Sequence, residues 1–149
     1  MPIIQVFGYP GAGKSHLVGL LKTATSSREY LILDTDNFNK KGGFATNFRA
    51  AMRKAKKNRK VTMFVGTATM SATSAPIIIP GALHMWLNTP WKTCLARIKK
   101  RPLDRSTEEI ENDYMEWTSF HDRVRAMVPT LREYTQDEIV ATATSAPFR

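Results

Sequence analysis

Gly8-Tyr9-Pro10-Gly11-Ala12-Gly13-Lys14-Ser15 has the spacing Gly-x-x-x-x-Gly-Lys-Ser, and its flanks decide how it folds. Ile3-Ile4-Gln5-Val6-Phe7 before it reads as a short buried strand, and Leu17-Val18-Gly19-Leu20-Leu21 after it as a helix. A strand, a glycine-rich turn and a helix in that order make a phosphate-binding loop. Its glycines let successive backbone N–H groups point inward at phosphates, and the N-terminal end of the helix adds a favourable dipole. The nucleotide-binding set is therefore Gly8, Pro10, Gly11, Ala12, Gly13, Lys14, Ser15 and His16. Lys14 reaches the outer phosphates and Ser15 ligates Mg²⁺. The stretch predicts binding of a nucleoside triphosphate.

Size and charge bound the rest. At 149 residues the chain is expected to form one domain, 1–149, a single sheet covered by helices with no room for an added effector module. Cys94 stands alone, so no internal disulfide is available, and its reading is that of a small hydrophobe on a helix face. The first strand begins almost at Met1 and no apolar run approaches a membrane span, so the expectation is a cytoplasmic protein without membrane contact. With 22 basic against 13 acidic residues the net charge is +9, and the segment Arg49 to Lys60 holds seven basic residues and no acidic one. Such a face is either a solvated helix surface or a contact for a polyanion.

Along the chain, a helix is expected over about Lys14–Ala24, a strand at Tyr30–Leu33 ending in Asp34, an amphipathic helix with a basic outer face from Phe44 to Lys57, and a third strand at Val61–Val65. Gly66 to Ala75 is a run of small and hydroxylated residues suited to a pocket loop. Pro76-Ile77-Ile78-Ile79-Pro80 is either an edge strand or a short buried connection. His84–Leu87 reads as a fourth strand, followed by a helix capped by Thr89 with Pro90 at its first position. Ser106-Thr107-Glu108-Glu109 opens a long helix reaching about Met127, and Glu138–Thr142 is taken as the last strand. Alternating strands and helices imply right-handed crossovers, a doubly wound five-stranded parallel sheet, and ligands at the strands' carboxyl ends.

Asp34-Thr35-Asp36 falls at such a carboxyl end, where the topology brings it to the phosphate loop. One carboxylate can hold Mg²⁺ through its water shell, since Val65-Gly66-Thr67 after the third strand lacks an acid, and the other can accept the proton of an attacking hydroxyl. The residues alone do not say which does which. An acceptor that is already a phosphate needs no base, so the pair favours a hydroxyl acceptor. His16, His84 and His121 are dispersed, with no second ligand at metal spacing.

With these residues the chain resembles the small P-loop kinases of the nucleoside monophosphate kinase-like group, among them shikimate, gluconate, nucleoside and polynucleotide kinases. Asp34-Thr35-Asp36 is similar to the Asp-x-Asp of shikimate kinases, and Asp36-Asn37-Phe38 to the Asp-Asp-Phe of nucleoside and polynucleotide kinases. The resemblance implies Asp36 as catalytic base and Asp34 as the metal-side carboxylate, with ATP and Mg²⁺ as cofactors. Leu95-Ala96-Arg97-Ile98-Lys99-Lys100-Arg101-Pro102-Leu103 resembles the helix-then-lid segment of these kinases. That implies a lid at about 99–107, Arg101 as its catalytic residue with Arg105 as substitute, Arg97 against the adenine, and Ala143-Thr144-Ser145-Ala146 as the loop passing the base. The glycine-rich stretch that shikimate kinases carry after their third strand is replaced by Gly66-Thr67-Ala68-Thr69-Met70, which argues against shikimate itself. The function expected is transfer of the ATP γ-phosphoryl group to a hydroxyl of a nucleoside-like acceptor, free or within DNA or RNA, with the basic face 49–60 as nucleic-acid contact. The alternatives are a kinase of a free nucleotide or small metabolite, and a slow nucleoside triphosphatase acting as a binding module. ATP or GTP, and the oligomeric state, stay open.

Overall fold

The computed structural model describes residues 2–69, 74–101 and 106–145, with side chains at all of these but 113 and 114. Apolar runs of five form the inner strands. β1 (Ile3–Phe7) and β3 (Val61–Val65) are buried along their whole length, as strands covered on both faces must be. β2 (Tyr30–Asp34) and β4 (Leu83–Leu87) flank them, and β5 (Arg132–Tyr134) closes one edge, giving the order β2-β3-β1-β4-β5 with every pairing parallel.

Register sets the two faces. Gln5 lies beside Phe64 and His84, and Phe7 beside Trp86, so these side chains share one face. There Phe48 of α2 (Phe44–Lys57) stacks on Phe64 at 5.3 Å, and Phe120 and His121 of α5 (Phe120–Met127) pack on Trp86 at 5.7 and 4.2 Å. Ile4, Val6, Met63 and Met85 point to the opposite face, the side that right-handed connections give to α1 (Lys14–Ala24) and α6 (Gln136–Ala143), which pack together. α3 (Trp91–Lys99) and α4 (Thr107–Trp117) complete the link from β4 to β5. Among the described residues no helix is long and apolar enough to cross a membrane.

The sequence reading errs at four places. Glu138–Thr142 is helical, because Thr135 and Glu138 form a capping box that starts α6 and Ile139 and Ala143 bury one helical stripe. The last strand is instead the short charged segment Arg132–Tyr134, a length and polarity that suit a sheet edge. The helix expected to run from Ser106 to Met127 breaks at Thr118–Ser119, where the Thr118 hydroxyl donates to Met115 O at 2.7 Å. Thr89 does not cap α3: Pro90 holds that position, and the Thr89 hydroxyl donates to Ala12 O at 2.9 Å. Of the two readings of residues 76–80, the buried connection is the one observed. The Gln5 amide, 1 % exposed, donates to Ile77 O at 2.7 Å and accepts from Ile79 N at 2.9 Å, binding the segment to the sheet as a strand would.

Candidate active site

The phosphate loop turns on residues that need left-handed backbone. Gly13, at φ 94°, is the N-cap of α1, and Gly11, at φ 81°, approaches α3 so closely that a Cβ would sit 2.8 Å from Cys94 O. Three carbonyls of the loop are each tied outward by a different part of the fold. Arg97 Nη1 donates to Gly11 O at 3.2 Å, Thr89 Oγ1 to Ala12 O at 2.9 Å, and Gln136 Nε2 to Gly13 O at 3.5 Å. Turning carbonyls out leaves amides facing in, the polarity an anion requires.

Lys14 lies under this loop, 9 % exposed, its ammonium donating to Gly8 O at 3.3 Å and to Tyr9 O. Burial lowers its pKa to about 8, against the opposing pull of Asp36. Asp36 shows the complementary shift: partial desolvation and then the Asp34 carboxylate push its pKa up, while Lys14 and Arg101 draw it down. These groups meet in a cleft of about 470 Å³ at the carboxyl ends of the strands. Pro10, Gly11, Gly13, Lys14, Ser15 and His16 of the loop line it together with Asp36, Asn39, Phe44, Thr67, Thr69, Trp117 and Arg101.

The sequence-expected residues separate within this geometry. Lys14, Ser15, Asp36 and Arg101 share the cleft. Asp34 does not line it: its Oδ1 accepts from Asp36 N at 3.0 Å and caps the 3₁₀ turn Thr35–Phe38 that carries Asp36. That turn is held from below by an unusually close approach, since a Cβ on Gly66 would fall 1.6 Å from Thr35 Oγ1. Arg97 borders a shallower recess with Thr89, Thr135, Gln136 and Asp137. The segment at Ala143–Ser145, expected near the base, lies elsewhere: Ala143 O accepts from the hydroxyl of Tyr30, the first residue of β2, at the far end of the sheet from the phosphate loop. The shift follows from Glu138–Thr142 being helix, so that Thr135 alone links the last strand to α6. Residue 146 and the lid residues 102–105, Arg105 included, lie outside the described residues.

Sequence reading missed the loop anchors Thr89 and Gln136, and it took Phe44 and Trp117 only for core positions of their helices. Their one signal was placement, at the first turn of α2 and the last of α4. Cys94 is fully buried, with its thiol pKa pushed up by burial, as its helical position suggested. His84 bonds Ile79 O at 2.9 Å, and His121 stacks on Trp86.

The donors fit a magnesium nucleotide. Ser15 offers a hard hydroxyl oxygen beside the loop amides, and Mg²⁺ is held by few protein oxygens and several waters. Among the described residues there is no cluster of three or more His, Cys, Asp or Glu side chains of the kind a protein-caged metal needs.

No protein-family model and no curated protein matches the chain. Solved structures do match. Shikimate kinase from Acinetobacter baumannii, in complex with shikimate, aligns over 95 % of this chain and 90 % of its own at 21 % identity and TM-score 0.59. Deoxyadenosine kinase from M. mycoides, with products dCMP and a flexible dCDP bound, aligns over 94 % and 93 % at 16 % identity and TM-score 0.52. A chain of the Pnkp1/Rnl/Hen1 RNA repair complex aligns over 81 % of this chain and 45 % of its own at 14 % identity and TM-score 0.55. The chain has the fold of the small P-loop kinases of the nucleoside monophosphate kinase-like group.

Proposed function

We propose that this chain is an ATP-dependent phosphotransferase that moves the γ-phosphoryl group to a hydroxyl of a nucleoside-like acceptor. The observation that carries the reading is the meeting, in one cleft, of Asp36 with Lys14 and Arg101. A carboxylate with a raised pKa facing two cations suits proton acceptance at one end of a transferring phosphoryl group and charge stabilisation at the other. The likeness in fold to kinases supports the reaction class.

The loop amides and Lys14 would hold the outer phosphates, with Ser15 on the metal side, while Asp34 caps the turn that carries Asp36. Mg²⁺ bound there would neutralise charge between the β- and γ-phosphates. Asp36 takes the acceptor's hydroxyl proton as its oxygen bonds to the γ-phosphorus. The bond to the β,γ-bridging oxygen breaks and ADP leaves. Arg101, at the start of the lid, and Lys14 meet the charge on the equatorial oxygens. Arg97 borders a recess with Thr135 and Gln136, which supports assigning its guanidinium to the nucleotide base.

Asp36→Asn is the direct test. Transfer of labelled γ-phosphate is expected to fall by about 10²-fold or more while ATP affinity stays within about threefold. Turnover near the parent's would remove Asp36 from the base role.

A second acceptor class is favoured by α2. Its first residue, Phe44, borders the cleft, and Arg49, Arg53, Lys54, Lys56 and Lys57 are exposed further along it. A strand of DNA or RNA entering by its terminal hydroxyl would run over that face, and its binding would weaken steeply as salt rises. Label on an oligonucleotide that disappears at high salt distinguishes this reading from a free small-molecule acceptor.

A further inference from the structure

α2 carries its charge where the fold itself makes no use of it. At 3.6 residues per turn Arg49, Arg53, Lys56 and Lys57 fall within about 100° of one another, across the helix from the buried stripe of Phe44, Phe48 and Ala55. All four cations are exposed, and so is Lys54 on their flank. Lys40 and Lys41 before the helix and Arg59 after it are exposed as well. The helix holds no acidic residue, and among the described residues none of these cations is in an ion pair.

Solvation alone does not account for this ridge. Arg49 with Arg53, and Arg53 with both Lys56 and Lys57, are like-charge neighbours at spacings that weaken a helix, whereas a surface with no task intersperses both signs. The helix dipole favours the cations of the last turn, Lys54, Lys56 and Lys57, but does not reach Arg49 and Arg53 in the middle. Three features narrow the partner that would offset the repulsion. No exposed aromatic side chain stands on α2, so the helix offers unpaired bases no stacking platform. Its large apolar side chains, Phe44, Phe48 and Met52, pack on the core, so it has nothing to insert into a membrane. From Arg49 to Lys57 it runs about 12 Å, a length over which duplex nucleic acid presents about seven phosphate charges. None of these cations lines the cleft.

We propose that the outer ridge of α2, formed by Arg49, Arg53, Lys56 and Lys57, is a docking surface for the sugar-phosphate backbone of duplex nucleic acid, held through phosphates alone and outside the cleft. It needs no strand end, which separates it from an acceptor whose terminal hydroxyl enters the cleft. The assignment stands independently of the kinase reading.

Filter binding of the full chain to covalently closed circular duplex DNA, in Mg²⁺-free buffer, tests it. The logarithm of affinity is expected to fall against the logarithm of NaCl concentration with a slope of about −3.5, a loss of about 10²-fold between 50 and 200 mM. The same DNA linearised should bind equally well, and closed circular single-stranded DNA, phosphatidylserine vesicles and polyglutamate more weakly. Arg49→Gln, Arg53→Gln and Lys57→Gln combined put a good helix former at each position and relieve the repulsion, so the fold is kept. That variant should lose about 10²-fold or more in affinity at 50 mM and flatten the slope to about −1. Lys22→Gln, Arg28→Gln and Lys92→Gln combined remove the same charge from exposed positions elsewhere and should change affinity by no more than about threefold. Arg53→Lys should keep the slope. A parent slope shallower than about −2, a preference for the linear form, tighter binding of the single strand, the vesicles or polyglutamate, or equal losses in the two triple variants would each overturn the surface. Binding of a non-transferable ATP analogue by the parent, measured separately, reports on the kinase reading alone: its absence would overturn that reading and leave the docking surface standing.

Discussion

Lys14 shows how one residue sets both a function and a liability. Its ammonium is buried among loop carbonyls with a pKa lowered to about 8. Between that value and the ordinary 10.4 or so of an unfolded lysine, the unfolded chain binds more protons, so folding stability rises with pH through this window and is weakened below it. Lys14→Met should therefore raise the denaturation midpoint at pH 7, flatten its rise between pH 8 and 10, and remove most ATP affinity, all measurable by denaturant titration and calorimetry. In the parent, ATP affinity should decline as pH climbs past about 8 and the charge is lost. An unchanged midpoint in the methionine variant would mean that the loop carbonyls fully offset the desolvation. Lys14 was legible in the sequence because its motif carries the mechanism. Asp36 was legible only as one of two carboxylates: its separation from Asp34 depends on which one caps the 3₁₀ turn, a matter of local dihedral angles that Asp-Thr-Asp does not encode by itself.

At the level of elements, α1, α2 and β3 were readable to the residue because periodicity and glycine punctuation agreed there. α6 was not. Ile139-Val140-Ala141-Thr142 has the β-branched look of a strand, and what overrides it is the reciprocal cap between Thr135 and Glu138. The same cap places Gln136 on Gly13, so a helix start serves the phosphate loop. Thr135→Ala should cost about 1 kcal/mol in stability, seen in the denaturation midpoint. It should also weaken ATP binding more than an equally destabilising change remote from the loop, such as Thr25→Ala at the other end of α1. Equal ATP affinities in the two variants would detach the cap from the loop. Phe44 and Trp117 illustrate the complementary gap: a helical stripe tells which residues are turned inward, and only tertiary packing tells whether they meet protein or a cleft.

For the whole molecule, the decisive quantity is the uncompensated charge of +9. Exposed cations from Arg49 to Arg59 crowd one helix and its exit, and the energy of gathering like charges falls as salt screens them. The thermal midpoint should rise between 20 and 300 mM NaCl at pH 7, a range across which ATP itself binds less tightly. A midpoint that falls would show that the described ion pairs, such as Lys99 with Glu111, outweigh the repulsion. The order β2-β3-β1-β4-β5 was foreseeable in class, a parallel sheet with its site at the carboxyl ends, because alternating strands and helices leave few other solutions. The sheet's last member was not, being three residues long and mostly charged.

Gln5 sits at the centre of that sheet and grips Ile77 and Ile79, residues that belong to no helix or strand. Two successive peptide groups, each locked to the innermost strand by one hydrogen bond and flanked by the fully buried Ile79 side chain, open only when the strand itself does. The rigid body of the protein therefore extends past its regular elements into the stretch that looks most like a loop. Any motion that gates the cleft must pivot outside this fastening, with residues 77–79 acting as fixed frame.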